Sequence, residues 1–195
     1  MNQFKRLSTF GNTKLPKTTL IFNMGPATSC PSKALGLCKV ASSCYALAPE
    51  CNYRKRVVLP YRSNQMDYWL NTPTNKMIAD IDDMLSRRRV PTKLFRFNES
   101  GDFHSQACVG KLSRISRHLM DKHNIITYGY SARSDLNFKG AHFLCKGSGH
   151  DKGNNGRTIV IDKHAPTPTG FFRCPGDCHE CNVCTSGANI AFPKH

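Results

Sequence analysis

Long apolar runs are missing from this chain. Nowhere do about 18 apolar residues follow one another, so a conventional membrane-spanning helix is excluded. The opening stretch MNQFKRLSTFGNTKLPKTTLIF is basic but holds no apolar segment of signal-peptide length. The expectation is a soluble, intracellular protein that is not secreted and has no membrane partner. Acidic residues are scarce as well: 13 Asp and Glu stand against 28 Lys and Arg, a formal charge of +15. Two catalytic signatures are absent, the nucleophile elbow of serine hydrolases and the G-x4-G-K-[ST] order of a phosphate loop. No internal repeat is visible.

The charge excess attracts nucleic acid or another polyanion through counterion release, although solubility alone also selects net charge. The runs Arg54-Lys55-Arg56 and Arg87-Arg88-Arg89 read as solvated surface before they read as a recognition surface. Tyr53, Tyr61, Tyr68 and Trp69 stand near the first run, where they either stack bases or belong to the core.

Apolar patterning sets the fold. Residues 1–18 are polar and basic without a period, which reads as a basic flexible arm. From residue 19 to 195 the chain reads as a single α/β domain. Thr19 to Asn23 is a first strand. A helix is expected from a Thr72 cap with Pro73 at its first position; Met77, Ile78, Ile81, Met84 and Leu85 share one of its faces. Lys93 to Phe97 is a strand. Ser105 to about Lys122 is a helix whose buried stripe is Val109, Leu112, Ile115, Leu119 and Met120. Further strands follow at Ile125 to Tyr130, around His142 to Cys145, and at Thr158 to Ile161, with a flexible Gly-rich loop at 146–156. Helices alternating with short strands imply parallel pairing. The fold class is therefore α/β, a partial (β/α) barrel or an open mostly parallel sheet, with cysteine-rich N- and C-terminal segments. Ligands in such folds sit beyond the strand C-terminal ends, where the loops after the strands gather.

Cysteine is what the chain has in excess: ten residues in a length that needs no disulfide scaffold for stability. In a reducing compartment, clustered thiols point to metal. Cys174, Cys178, Cys181 and Cys184 form one continuous C-x3-C-x2-C-x2-C run. Zinc knuckles usually come as two pairs split by a longer loop, so this run favours an iron-sulfur cluster of the [4Fe-4S] type, with zinc as the alternative. Cys30, Cys38 and Cys44 are spaced irregularly and offer a second site or shared ligands. Cys108 and Cys145 fall on a helix and a strand and read as small buried hydrophobes.

Cys30-Pro31, Cys38, Cys44-Tyr45-Ala46, Ser100-Gly101-Asp102-Phe103 and the C-terminal Cys-Pro with its close cysteines together resemble the bacteriophage "gene product 88" proteins. The resemblance runs over roughly residues 20 to 195. It implies a phage gene product acting in the cytoplasm of an infected bacterium, and brings no established reaction with it. A looser likeness is to radical S-adenosylmethionine proteins, which pair a partial barrel with a three-cysteine cluster. Cys174, Cys178 and Cys181 match that spacing, but at the wrong end of the chain, and Cys184 would fill the iron position the cofactor needs.

Glu99, Asp102 and His104 crowd one strand-end loop, where a carboxylate orients a histidine for general acid-base work. The alternative reading is structural, with Asp102 as a cap and Gly101 as a bend. Two functions follow as expectations. One is an iron-sulfur enzyme, hydrolase-type or radical-type, with its pocket at the strand ends beside the cluster. The other is a basic nucleic-acid-binding module stapled by a cluster or by zinc.

Overall fold

A computed structural model describes residues 2–52 and 54–194. Tyr53, one of the aromatics considered for base stacking, lies outside them. The elements in chain order are α1 (Gln3–Arg6), β1 (Thr9–Phe10), β2 (Thr19–Phe22), α2 (Pro31–Ala34), α3 (Leu47–Cys51), α4 (Lys55–Asn71), α5 (Thr74–Ser86) and β3 (Leu94–Phe97). Then come α6 (Gln106–His123), β4 (Ile126–Ser131), β5 (Leu144–Ser148), β6 (Arg157–Ile161), β7 (Phe171–Arg173) and β8 (Asn189–Pro193). Among the described residues no helix is long and apolar enough to cross a membrane.

The strands form one open sheet ordered β1-β2-β3-β4-β5-β6-β8-β7. Only the β1–β2 pair is antiparallel; every other pair is parallel. The α/β expectation holds in its open-sheet form, with edges at β1 and β7. Eight strands replace the expected four or five, because the short β1, β7 and β8 carry too little apolar pattern to stand out.

Side-chain alternation gives the sheet two different faces. Leu20, Phe22, Phe95 and Phe97 share one core with Met77, Ile81 and Met84 of α5 and with Val109, Leu112, Ile115 and Leu119 of α6. Phe97 meets Phe103 and Phe143 edge-on at 5.6 and 5.2 Å. The intervening residues Arg96, Tyr128, Tyr130 and Lys146 point to the opposite face, which the C-terminal segment covers. Met120, expected on the buried stripe of α6, is 41% exposed. Leu119 beside it is fully buried, so the stripe still faces the core there, and Met120 falls about 100° further round the helix.

Residues 2–18 are not a loose arm. Phe4 is fully buried and stacks on Phe22 at 5.1 Å; α1 packs on α5, and Leu7 and Leu15 are buried. Three apolar residues scattered among charges have no period to read, yet they suffice to dock the segment. Pro73 is extended (ψ 148) and caps rather than opens α5, while Thr72 ends the preceding α4. That 17-residue helix escapes a sequence reading because Pro60 sits inside it. The segment at 146–156 is no flexible loop either. A Cβ on Gly153 would stand 2.4 Å from the Cys145 carbonyl oxygen, so the chain is pressed against β5.

Candidate metal centre and strand-end site

The strands deliver two cysteine sets to different places. Ser32 of α2, just after Cys30, donates to the Asp102 carboxylate in the loop after β3. Asp102 also accepts from Phe103 N (2.8 Å), Ser131 Oγ (2.7 Å), Ala132 N (2.9 Å) and Asn98 Nδ2 (3.4 Å). This single carboxylate thus ties the chain after β3 to the end of β4 and to α2. Burial pushes it above its usual pKa, against the pull of the Ser32, Ser131, Ala132 and Phe103 donors. Cys30 and Cys38 lie within its field; burial first, then Asp102, pushes the Cys30 thiol up to about 11. The N-terminal cysteines therefore sit at the strand C-terminal ends, where ligands of such folds are expected.

A second carboxylate holds that loop. Glu50 is fully buried and accepts from Ala27 N (2.8 Å), Thr28 N (2.9 Å), Thr28 Oγ1 (3.0 Å) and Ser100 Oγ (3.2 Å). Its ion pair with Arg62 of α4 measures 2.5 Å. Gly101 has φ +75, and a Cβ there would stand 2.7 Å from Gly25 N, so the loops after β2 and β3 touch backbone to backbone. Burial alone would raise the Glu50 carboxyl, but the donors from Ala27, Arg62 and Thr28 outweigh it and leave it below its ordinary value of about 4.5. A depressed folded-state value stabilises above the unfolded value and is lost as pH falls through the folded one. Glu50→Gln is therefore expected to weaken the fold at pH 7, with the gap to wild type closing below about pH 4.5 in urea titrations. A gap constant with pH would show that Glu50 is not the group that titrates.

The C-terminal cysteines lie elsewhere. Cys178 N donates to Lys14 O at 2.9 Å, and Cys178, Cys181 and Cys184 line a small cleft with Leu15, Pro16, Leu94 and Tyr128. Leu15, Pro16 and Leu94 stand at the starts of β2 and β3, so this set lies toward the strand N-terminal ends. The two cysteine sets do not meet in one pocket with Asp102, as the sequence led one to expect. The four C-terminal thiols do share one neighbourhood: burial, then Cys184, Cys174 and Cys181, push Cys178 up to about 11. All ten cysteines are free thiols.

Two buried cations back this set. Arg96, mid-strand in β3 and 8% exposed, lies 4.1 Å from the Tyr130 ring centre. Its Nη1 has no hydrogen-bond partner, and it lies within the field of Cys178. Lys146 is fully buried and donates to the carbonyls of Asn155, Ser186 and Ala188, each at 2.7 Å. That pins the backbone just beyond Cys184, whose sulfur accepts from Tyr130 Oη at 2.8 Å. Sequence reasoning missed both cations. Arg96 had a signal, a lone charge inside the apolar run LFRF; Lys146 hid in a Gly-rich stretch.

The three candidate catalytic residues part company. Glu99 is half-buried, its carboxylate accepting from Asn12 Nδ2 at 3.0 Å, and its carbonyl accepts from the hydroxyl of Tyr45, which is 67% exposed. Tyr128 lies within the field of Glu99 as well as those of Cys184 and Cys178. Asp102 is 4% exposed and saturated with donors. The nitrogens of His104 are shielded from solvent, and its side chain is directed at the Cys108 thiol in the first turn of α6. Cys108 is 7% exposed; burial raises its thiol, but the side chains of His104 and Ser105 and the backbone of the same two residues overcome this and bring it to about 7. Cys145 is fully buried, as expected.

Residues 4–139 match the family model named Gene product 88. The chain belongs to that family. It is a family of bacteriophage gene products, and the match takes in Cys30, Cys38, Cys44 and the strand-end loop from Asn98 to His104. The match starts earlier than the resemblance read from the sequence and ends before the C-terminal cysteines. Comparison with curated proteins and with solved structures finds no match. The looser likeness to radical S-adenosylmethionine proteins draws no support from any comparison.

Proposed function

We propose that this Gene product 88 protein is a phage-encoded iron-sulfur enzyme of the host cytoplasm. Cys174, Cys178, Cys181 and Cys184 would hold a [4Fe-4S]-type cluster, and substrate would enter at the strand C-terminal rim. The observation that carries the reading is the buried Arg96, whose Nη1 lacks a hydrogen-bond partner among the described residues and which lies within the field of Cys178, a thiol that shares its neighbourhood with Cys174, Cys181 and Cys184. Thiolates around a cluster make an anionic centre, and Arg96 with Lys146 supplies buried positive charge to meet it. Spacing supports a cluster over zinc. Cys174, Cys178, Cys181 and Cys184 form one continuous C-x3-C-x2-C-x2-C run, whereas zinc knuckles usually come as two pairs split by a longer loop. With a thiolate on every iron and the rim at the other ends of the strands, the cluster would supply electrons to the rim through the sheet and would not bind substrate itself. At the rim, Glu99 is the group placed to take or give a proton, Tyr45 offers an exposed aromatic surface, and Cys30, Cys38 and Cys44 stand ready as a second ligand set. Iron, acid-labile sulfide and zinc analysis of protein purified without oxygen tests the reading. Stoichiometric zinc with no sulfide overturns it.

A second reading, nucleic-acid binding, rests on Lys55 and Arg56, exposed at the start of α4 beside Val57, itself 73% exposed. The aromatics weaken it: Tyr68 and Trp69 are core residues. Of the Arg87–Arg89 run, Arg87 pairs with Asp83, and Arg88 donates to Lys17 O and lies over the Phe10 ring. If Lys55 and Arg56 both contact phosphates, replacing them with alanine lowers the log-log salt slope of DNA binding by about 2. An unchanged slope removes them from any such interface.

A further inference from the structure

Asp82 of α5 and His118 and His123 of α6 are left over by the sites above. His118 and His123 are five residues apart near the end of a helix that terminates in a left-handed Asn124 (φ 53). Their Nε2 atoms lie 3.0 and 2.7 Å from Asp82 Oδ1, with His118 Nε2 also 3.0 Å from Oδ2. Side chains are 21 to 29% exposed, so the group is half shielded but reachable. Among the described residues this is the one set of three ligand-type atoms lying within 4.8 Å of one another. His123 also lines a cleft of about 200 Å³ with Leu85, Arg88, Val90, Pro91, Thr92 and Ile125. The carboxylate has one other partner, Lys122 Nζ at 2.7 Å from Oδ2.

We infer that Asp82, His118 and His123 form a binding site for a divalent transition-metal ion such as zinc at the seam of α5 and α6, open toward the adjoining cleft. Two imidazoles and a carboxylate are ligands that zinc accepts, and three protein ligands leave a coordination position for water or an anion. The cleft gives that position room, and Arg88 on its wall suits an anionic occupant. Lys122 is the competitor: its side chain is 55% exposed and can swing to solvent when the ion takes its place. The rival account is a purely structural ion-pair network joining two helices. The two differ in what Lys122 does, since removing it frees the carboxylate for a metal but only weakens a network.

The test uses Zn²⁺ itself on the full chain, purified without oxygen so that its thiol sites are in their native state. One equivalent is expected to shift the ring resonances of His118 and His123 in two-dimensional NMR. His118→Ala is expected to weaken that binding by more than the ~10–100-fold typical of losing a mere outer-shell partner. Lys122→Ala should tighten it and leave the fold intact, which keeps the proposal testable if Asp82→Asn disturbs the helix seam. Rings that do not respond to Zn²⁺ in the wild type, or a Lys122→Ala variant that binds no better, would overturn the assignment.

Discussion

Cys178→Ser and Cys181→Ser are each expected to strip the protein of visible colour, iron and acid-labile sulfide, whereas Cys51→Ser leaves all three unchanged. Cys178 is the decisive position because its neighbours include the other three C-terminal thiols and its backbone is fixed to Lys14. Losing it opens the ring of ligands at a point the chain cannot refill. Cys51 is exposed and serves as the control for nonspecific iron. Anaerobic purification followed by visible absorption and metal analysis reads the result. If the serine variants keep the wild-type iron and sulfide, the C-terminal run is not the cluster site. Cluster retention in these variants combined with its loss in Cys30→Ser, Cys38→Ser or Cys44→Ser would move the centre to the strand C-terminal rim. The Arg96 argument makes its own contribution, because Arg96→Met removes the buried charge without touching a thiol. That variant is expected to retain fewer irons per chain than wild type.

Elements with a clear apolar period were legible from sequence: β2, β3, α6, β4 and β6 fall within one or two residues of where periodicity put them, and α5 begins within that margin but stops at Ser86, short of Pro91. Those that failed did so for particular reasons. The N-terminal segment docks through Phe4, Leu7 and Leu15, too few and too scattered to form a pattern. Helix α4 carries Pro60, which argues against a helix wherever sequence alone is weighed. The cysteine sets were recognised as sets, but their separation was not, because the line of chain does not say that 174–188 folds back to the strand starts. Lys146 was unreadable for a different reason. A lysine is normally a surface residue, and only the three carbonyls that converge on it make burial tolerable. Asp102 was visible as important, yet its role depended on counting donors that come from three segments.

That count makes Asp102 the site of the second large effect. Asp102→Asn keeps shape and volume, so it isolates the hydrogen bonds. The two carboxylate oxygens each accept a backbone N–H, Oδ1 from Phe103 and Oδ2 from Ala132. Whichever way an asparagine amide is turned, its NH2 group confronts one of those N–H donors. One buried backbone donor is then unsatisfied, at roughly 1–3 kcal/mol. Asp102→Ala leaves both without an acceptor and roughly doubles the loss. The Ser32 and Ser131 hydroxyls rotate to find other partners, so they add less. A urea midpoint that falls in both variants, with m unchanged, identifies Asp102 as the tie between the strand-end loops. A catalytic carboxylate predicts the reverse: Asp102→Asn would keep the midpoint and lose turnover. Because Cys30 and Cys38 lie in the field of this carboxylate, the stability loss should be largest where α2 joins the sheet. Hydrogen exchange at Lys33 and Ala34 is expected to speed up before exchange in β6 does. Equal acceleration across the sheet would mean that Asp102 stabilises the fold as a whole and does not specifically anchor the N-terminal cysteine loop.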